Sequence, residues 1–190
     1  MNIGIDVDDV VYNTGVEVEK EIDAASNPVI REHKVELMRG VLSELPEEVI
    51  QFLKDTILTY LANAKPMDNA IEVLKKLRDD GHKIILITAR DDNLNEGVIE
   101  LSYQSFKKFG IEEGIVYDKI VFRSVDKASV CINEKIDLFI DDSPKNCEIV
   151  RDLGIDVIAF KSRITADAID KTDLPSASSW DELYEMIKIL

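Results

Sequence analysis

Two groups of carboxylates carry the chemistry of this chain. The N-terminus, MNIGIDVDDV, runs a short apolar stretch into Asp6, Asp8 and Asp9, and a later apolar run ends in FIDDSP with Asp141 and Asp142. Carboxylates crowded at the ends of buried strands repel one another, and burying them uncompensated is costly. A hard divalent cation would offset that cost, and Mg²⁺ takes oxygen ligands of this kind. Asp6, Asp8, Asp141 and Asp142 are therefore the candidate metal ligands. Two more polar groups follow other apolar runs: Thr88-Ala89-Arg90 closes ILITAR, and Lys127 stands near the start of the stretch DKASVCINEK.

Bringing these groups together falls to the elements between them. NIGID, KIILITAR, DKIVFRS, IDLFIDD and IDVIAF read as strands, the second a continuous apolar run of the kind covered on both faces. MDNAIEVLKKLRDDG sets Ile71, Leu74 and Leu77 on one helical face, with Gly81 past its end. LNEGVIELSYQSFKKFGI, DKASVCINEK, PKNCEIVRDLG (Pro144 at its start) and SWDELYEMIKIL (Ser179 as its cap) read as further helices. Such alternation predicts an α/β fold, a three-layer Rossmann-like doubly wound parallel sheet with right-handed crossovers. In that sheet the polar groups at the strand ends converge on one edge.

Between Asp8 and Lys65 the alternation stops. TGVEVEKEIDAAS reads as a helix, and PEEVIQFLKDTILTYLANA as a longer one, with Pro46 in its first turn and Ile50, Leu53, Ile57 and Leu61 on its apolar face. The reading is a core domain of residues 1–13 and 66–190 with a small helical cap, 14–65, inserted after the first strand. A cap there would lie over the carboxyl edge of the sheet, where open α/β folds bind ligands.

The 23 basic and 38 acidic side chains give a formal net charge of −15, which argues against a nucleic-acid polymer as partner. A small phosphorylated partner is still allowed, because screening leaves local charge to decide. No apolar run is long enough to span a bilayer, and no basic segment with an apolar core opens the chain. Cys131 and Cys147 both fall in helical stretches and read as a buried, reduced pair, which points to the cytoplasm.

IDVDDV resembles the first motif of the haloacid dehalogenase superfamily of phosphohydrolases, a hydrophobic residue followed by D-x-D-x-[TV]. ILITAR is similar to the second motif, with Thr88, and FIDDSP to the aspartate pair of the fourth. For the lysine of the third motif there are two candidates. Lys127 begins a helix beside the strand ends and is preferred to Lys135 at that helix's far end. Order and spacing fit along the whole chain, most closely the 5′-nucleotidases of the cytosolic 5′(3′)-deoxyribonucleotidase type. The resemblance implies a Mg²⁺-dependent hydrolysis of a small phosphate monoester, a nucleoside monophosphate, through an aspartyl-phosphate. It implies Asp6 as nucleophile and Asp8 as general acid and base, with the Asp8 backbone carbonyl also reaching the metal. Thr88, Ala89 and Lys127 would bind the phosphoryl oxygens, Asp141 would ligate the metal directly, and Asp142 directly or through water. Asp9 departs from the pattern, since many relatives have glycine there to ease a tight turn.

Several residues keep two readings. Asp142 serves the metal or caps the helix that follows. Arg90 reads the substrate or pairs with Asp91 or Asp92. Tyr12 and Asn13 would line the entrance. Arg31, His33, Lys34 and Arg39 form a loose basic group that meets a phosphate or base, or is a solvated helical face. A homodimer is possible. Two rival functions use the same residues. One is a phosphatase of sugar phosphates or other small metabolites. The other, a receiver-type signalling domain, orders its acidic pair, threonine and lysine differently and has no use for the helical insertion.

Overall fold

The computed structural model describes residues 1–38 and 45–190. Six strands form one parallel sheet in the order β3-β2-β1-β4-β5-β6, with β1 Asn2–Asp6, β2 Lys83–Ile87, β3 Lys119–Val121, β4 Leu138–Asp141, β5 Asp156–Phe160 and β6 Ser176–Ala177. The winding runs outward from β1 to β3 on one side and from β4 to β6 on the other. Its direction switches between β1 and β4, the point where doubly wound sheets open a ligand crevice.

Strand residues alternate between two cores. Ile3, Ile5, Ile84, Leu86, Leu138 and Ile140 share one cluster with Leu74 and Leu77 of α5 (Ala70–Asp79) and Trp180 and Leu183 of α10 (Trp180–Ile187). Ile85, Ile87, Phe139 and Val157 face the other, with Cys131 of α7 (Lys127–Asn133) and Cys147 and Val150 of α8 (Pro144–Arg151). This burial on both faces is what the continuous apolar runs encode. Both cysteines are free and buried. Gly4, in central strand β1, allows the second layer to close: a Cβ there would stand 2.9 Å from Ile87 Cδ1 and 3.2 Å from Ile136.

Helices α1 (Thr14–Ala24), α2 (Pro28–Glu32), α3 (Lys34–Met38) and α4 (Glu47–Asn63) fill the chain between β1 and α5. Ile22, Ile30, Leu37 and Val49 form a separate apolar cluster there. Where this segment leaves and rejoins the sheet, two backbone bonds hold its ends together, Asn13 N–H to the Lys65 carbonyl at 2.9 Å and Met67 N–H to the Val11 carbonyl at 2.8 Å. α4 also packs on α6 (Val98–Lys108), with Ile57 and Leu61 against Val98. Pro46 stands at the N-cap of α4 rather than inside its first turn.

Short elements departed from expectation. α2, α3, α9 (Ala166–Ile169) and β6 run two to five residues, too few for hydrophobic periodicity to register. Arg39 lies outside the described residues. Among those described, no helix is long and apolar enough to cross a membrane.

At the opposite edge from the strand C-termini, Asp118 ties three elements. It accepts from Arg78 Nη2 at 2.8 Å, Arg78 Nε at 3.2 Å and the Ile84 N–H at 2.8 Å. Burial pushes its carboxyl up, but these donors outweigh burial and hold it below its usual value of 3.8. A depressed carboxylate stabilises the fold above its unfolded pKa and loses that contribution as pH falls through the folded one. Asp118→Asn should therefore cost about 1 kcal/mol at pH 7. Urea midpoints of the two proteins should converge as the pH is taken from 4 toward 3; a gap constant with pH would refute the linkage.

Candidate active site

β1 ends in Asp6 and β4 in Asp141, so the switch in winding sets two carboxylates side by side, both almost fully buried. Lys127, the first residue of α7, reaches between them. Its Nζ lies 2.8 Å from Asp6 Oδ2 and 2.7 Å from Asp141 Oδ2, and its side chain is 8% exposed. Asp126 positions that helix start by accepting the Ser129 N–H. Asp141 is held further by the Ser143 N–H at 2.8 Å and Asn146 Nδ2 at 3.2 Å. Asp142 completes the group: Asp6, Asp141 and Asp142 each offer a carboxylate oxygen, all within 4.8 Å of one another.

The electrostatics show how tightly this is packed. Burial, with Asp141 and Asp8 adding repulsion, pushes the Asp6 carboxyl up to about 7 against the pull of Lys127. Burial and the neighbouring Asp141 and Asp6 hold Asp142 well above its ordinary value. Burial disfavours the Lys127 charge, but Asp141 and Asp6 more than restore it and raise its pKa. Three hard oxygen donors with excess negative charge are a fitting set for a divalent cation.

Asp8 stands outside that cluster, its side chain bound on the other side. Oδ1 accepts from Arg90 Nη2 at 2.8 Å and from Thr14 Oγ1 at 2.7 Å, and Oδ2 accepts from Arg90 Nε at 3.1 Å and Thr88 Oγ1 at 3.4 Å. Burial raises the Asp8 carboxyl, but Arg90 and Thr14 together take it below the ordinary value. Arg90 also donates to Ser102 Oγ at 3.0 Å and lies 5.6 Å from the Tyr12 ring centre. A cavity of about 290 Å³ opens above, floored by Asp8, Ala89 and Arg90 and walled by apolar residues of α1 and α4, Val18 and Ile57 among them, with Tyr60.

The structure thus brings Asp6, Lys127, Asp141 and Asp142 together, and Asp8 to Thr88 and Arg90. It places Lys127, not Lys135, at the carboxylates; Lys135 is exposed at the far end of α7. The cap of α8 is Ser143, whose hydroxyl accepts the Asn146 N–H, leaving Asp142 to the cluster. Arg90 pairs with neither Asp91 nor Asp92, which face Arg123 instead. Tyr12 does not line an entrance: it is wholly buried between Phe106 and Phe109, because the backbone turns back at residue 12 to join Pro66. Asp9 takes the left-handed backbone, φ 58°, that glycine favours, and its carboxylate accepts the Gly15 N–H at 2.8 Å. Burial pushes that carboxyl up to about 7. Of the basic group, Lys34 is bound by Glu19 and Asp23, and Arg31 donates to the Ala25 carbonyl.

Thr14, Ser102 and Asn146 carry no sequence signal of these contacts. Only the partners' placement marks them, since a lone hydroxyl or amide on a helix has no pattern. Ser162, which donates to Asp142 at 3.3 Å, is a similar case just past β5.

The family model described as 5′ nucleotidase, deoxy (pyrimidine), cytosolic type C protein (NT5C) matches residues 1–190. A Bacillus cereus protein described as a "Putative nucleotidase" is 26% identical over 202 residues, covering 99% of this chain and 98% of its own. A "predicted phosphatase" from Clostridium acetobutylicum superposes with a TM-score of 0.68 at 15% identity, over 100% of this chain and 99% of its own. A HAD family hydrolase from Deinococcus radiodurans, with bound phosphate and sodium, gives 0.65 at 12% identity, over 99% and 95%. The chain belongs to this nucleotidase family and is an enzyme acting on a small phosphorylated substrate, with the fold of the HAD family hydrolases.

Removing one partner of a buried ion pair strands the other charges. Lys127→Met, measured in chelator at pH 7, should lose on the order of 3–5 kcal/mol of stability. A urea midpoint equal to the wild type's would mean that Lys127 does not compensate the carboxylates.

Proposed function

From that family membership, we propose that the chain is a Mg²⁺-dependent 5′-nucleotidase hydrolysing nucleoside monophosphates, deoxy forms included, through an aspartyl-phosphate on Asp6. One observation carries the reading: the Lys127 ammonium bridges Asp6 and Asp141 at 2.8 and 2.7 Å, beside Asp142 and at the switch in winding. We take residues 1–13 and 66–190 as the catalytic core and 14–65 as its cap, a division supported by the separate apolar cluster and the paired backbone bonds at its root.

In the first step Asp6 attacks phosphorus, the P–O bond to the leaving alcohol breaks, and Asp8 gives the departing oxygen its proton. In the second, Asp8 takes a proton from water as that water attacks the aspartyl-phosphate, releasing inorganic phosphate and restoring the Asp6 carboxylate. Lys127 sets a positive charge against the phosphoryl oxygens, and Thr88 offers them a hydroxyl. A Mg²⁺ held by Asp6, Asp141, Asp142 and the Asp8 carbonyl would neutralise the non-bridging oxygens that otherwise repel a carboxylate nucleophile. The apolar walls of α1 and α4 would receive the leaving nucleoside and keep out water.

Phosphate release should be measured from nucleoside monophosphates, deoxynucleotides and sugar phosphates, with Mg²⁺ and with EDTA. Turnover concentrated on nucleotides, lost in EDTA and reduced at least about a thousandfold in Asp6→Asn, is the expected result. Turnover confined to sugar phosphates would keep the chemistry and replace the substrate. Wild-type rates in Asp6→Asn would overturn the covalent route.

A further inference from the structure

We propose that Arg90 is the positioning residue for Asp8. It keeps that carboxyl out of the acidic cluster and aimed into the cavity where the leaving group departs. The inference rests on the reading of Asp8 as general acid and base.

Asp8 is the one motif carboxylate with a choice of partners. It lies close enough to Asp6 to raise that group's pKa, and close enough to Lys127 to feel its charge. Left to those neighbours, its side chain would be drawn toward the same cation as Asp6 and Asp141. What holds it elsewhere is the planar fork of Arg90, with Nη2 on Oδ1 at 2.8 Å and Nε on Oδ2 at 3.1 Å, a geometry that fixes direction as well as distance. Thr14 also donates to Oδ1, at 2.7 Å. The carboxylate so held keeps a third of its side-chain surface open, at 33%, while Arg90 keeps 5%.

Arg90 is itself held by further contacts. Its Nη1 donates to Ser102 Oγ at 3.0 Å, and that hydroxyl is anchored by donating to the Val98 carbonyl at 2.8 Å on the first turn of α6. The guanidinium lies over the rings of Tyr12 and Phe106, 5.6 and 5.9 Å from their centres. A buried ion pair is a poor way to add stability, since an apolar pair of similar volume does as well or better. Its value lies in orientation. Asp8 must hold one place twice, first to pass a proton to the leaving oxygen and then to take one from water, and a clamp on both its oxygens provides that.

The test uses full-length enzyme with Mg²⁺ and two substrates of equal shape, phenyl phosphate and 4-nitrophenyl phosphate. The nitrophenolate leaves without a proton, whereas the phenolate needs one. The comparison is of kcat/KM, which reports steps up to loss of the leaving group and excludes the later attack by water. Asp8→Asn should lose activity mainly on phenyl phosphate. Arg90→Met should do the same, by on the order of 100-fold on phenyl phosphate and less than about 3-fold on 4-nitrophenyl phosphate. Ser102→Ala, a gentler change that frees one arm of Arg90, should give a smaller loss with the same selectivity, and it carries the test if Arg90→Met does not fold. Equal losses on both esters, or none, in the Arg90 and Ser102 variants beside a selective Asp8→Asn would overturn the inference and leave the acid role of Asp8 standing. An unselective Asp8→Asn would overturn that role and the inference with it.

Discussion

A single ammonium group makes the centre of this molecule tenable. β1 and β4 end side by side in carboxylates because the winding reverses between them, and neither Asp6 nor Asp141 has water enough to carry its charge alone. Lys127 bridges the two from the first position of α7. The placement of that helix, capped by Asp126, is therefore part of the electrostatics of the site. Even so the balance is incomplete: the Asp6 carboxyl stays raised to about 7 by burial, and Asp142 well above its ordinary value. Residual negative charge on oxygen donors this close together is the physical basis for expecting a hard cation.

A second ion pair gives two aspartates only two residues apart different partners. Asp6 faces Lys127, and Asp8 faces Arg90. The intervening Val7 is buried, and the chain then turns through the left-handed conformation of Asp9. Asp9 serves that turn in a way glycine could not, because its carboxylate reaches across to the Gly15 N–H at the start of α1. A Cβ at Gly15 would run into Ile164 Cδ1 and stand 2.8 Å from Asp9 Oδ2, so a side chain there would push both aside. The loop after β1 thus ties the acidic motif to the start of the helical segment that walls the cavity.

The cavity walls are apolar, and the charges that matter lie at its floor. Within the helical segment Lys20 and Lys34 are held by acids of that segment and Arg31 by the Ala25 carbonyl.

The chain's own order of residues determined the fold class, the alternation of strands and helices, the helical segment after β1, and the one sheet edge to which Asp6, Asp8, Thr88, Lys127, Asp141 and Asp142 are brought. Those features follow from local periodicity and from the rule that parallel strands bring their carboxyl ends to one edge. Tertiary structure decided what depends on side-chain direction across long separations. Arg90 could have met Asp91 or Asp92, its neighbours in sequence, but the path after β2 turns it inward to Asp8, 82 residues away. Tyr12 follows the acidic motif directly and yet is core, because the backbone doubles back to Pro66. Asp142 and Ser143 are equally good helix caps by type, and only geometry assigned the cap to Ser143. Sequence names the groups and the edge they share; which group faces which is set by packing, where a few ångströms separate a cation's ligand from an arginine's partner.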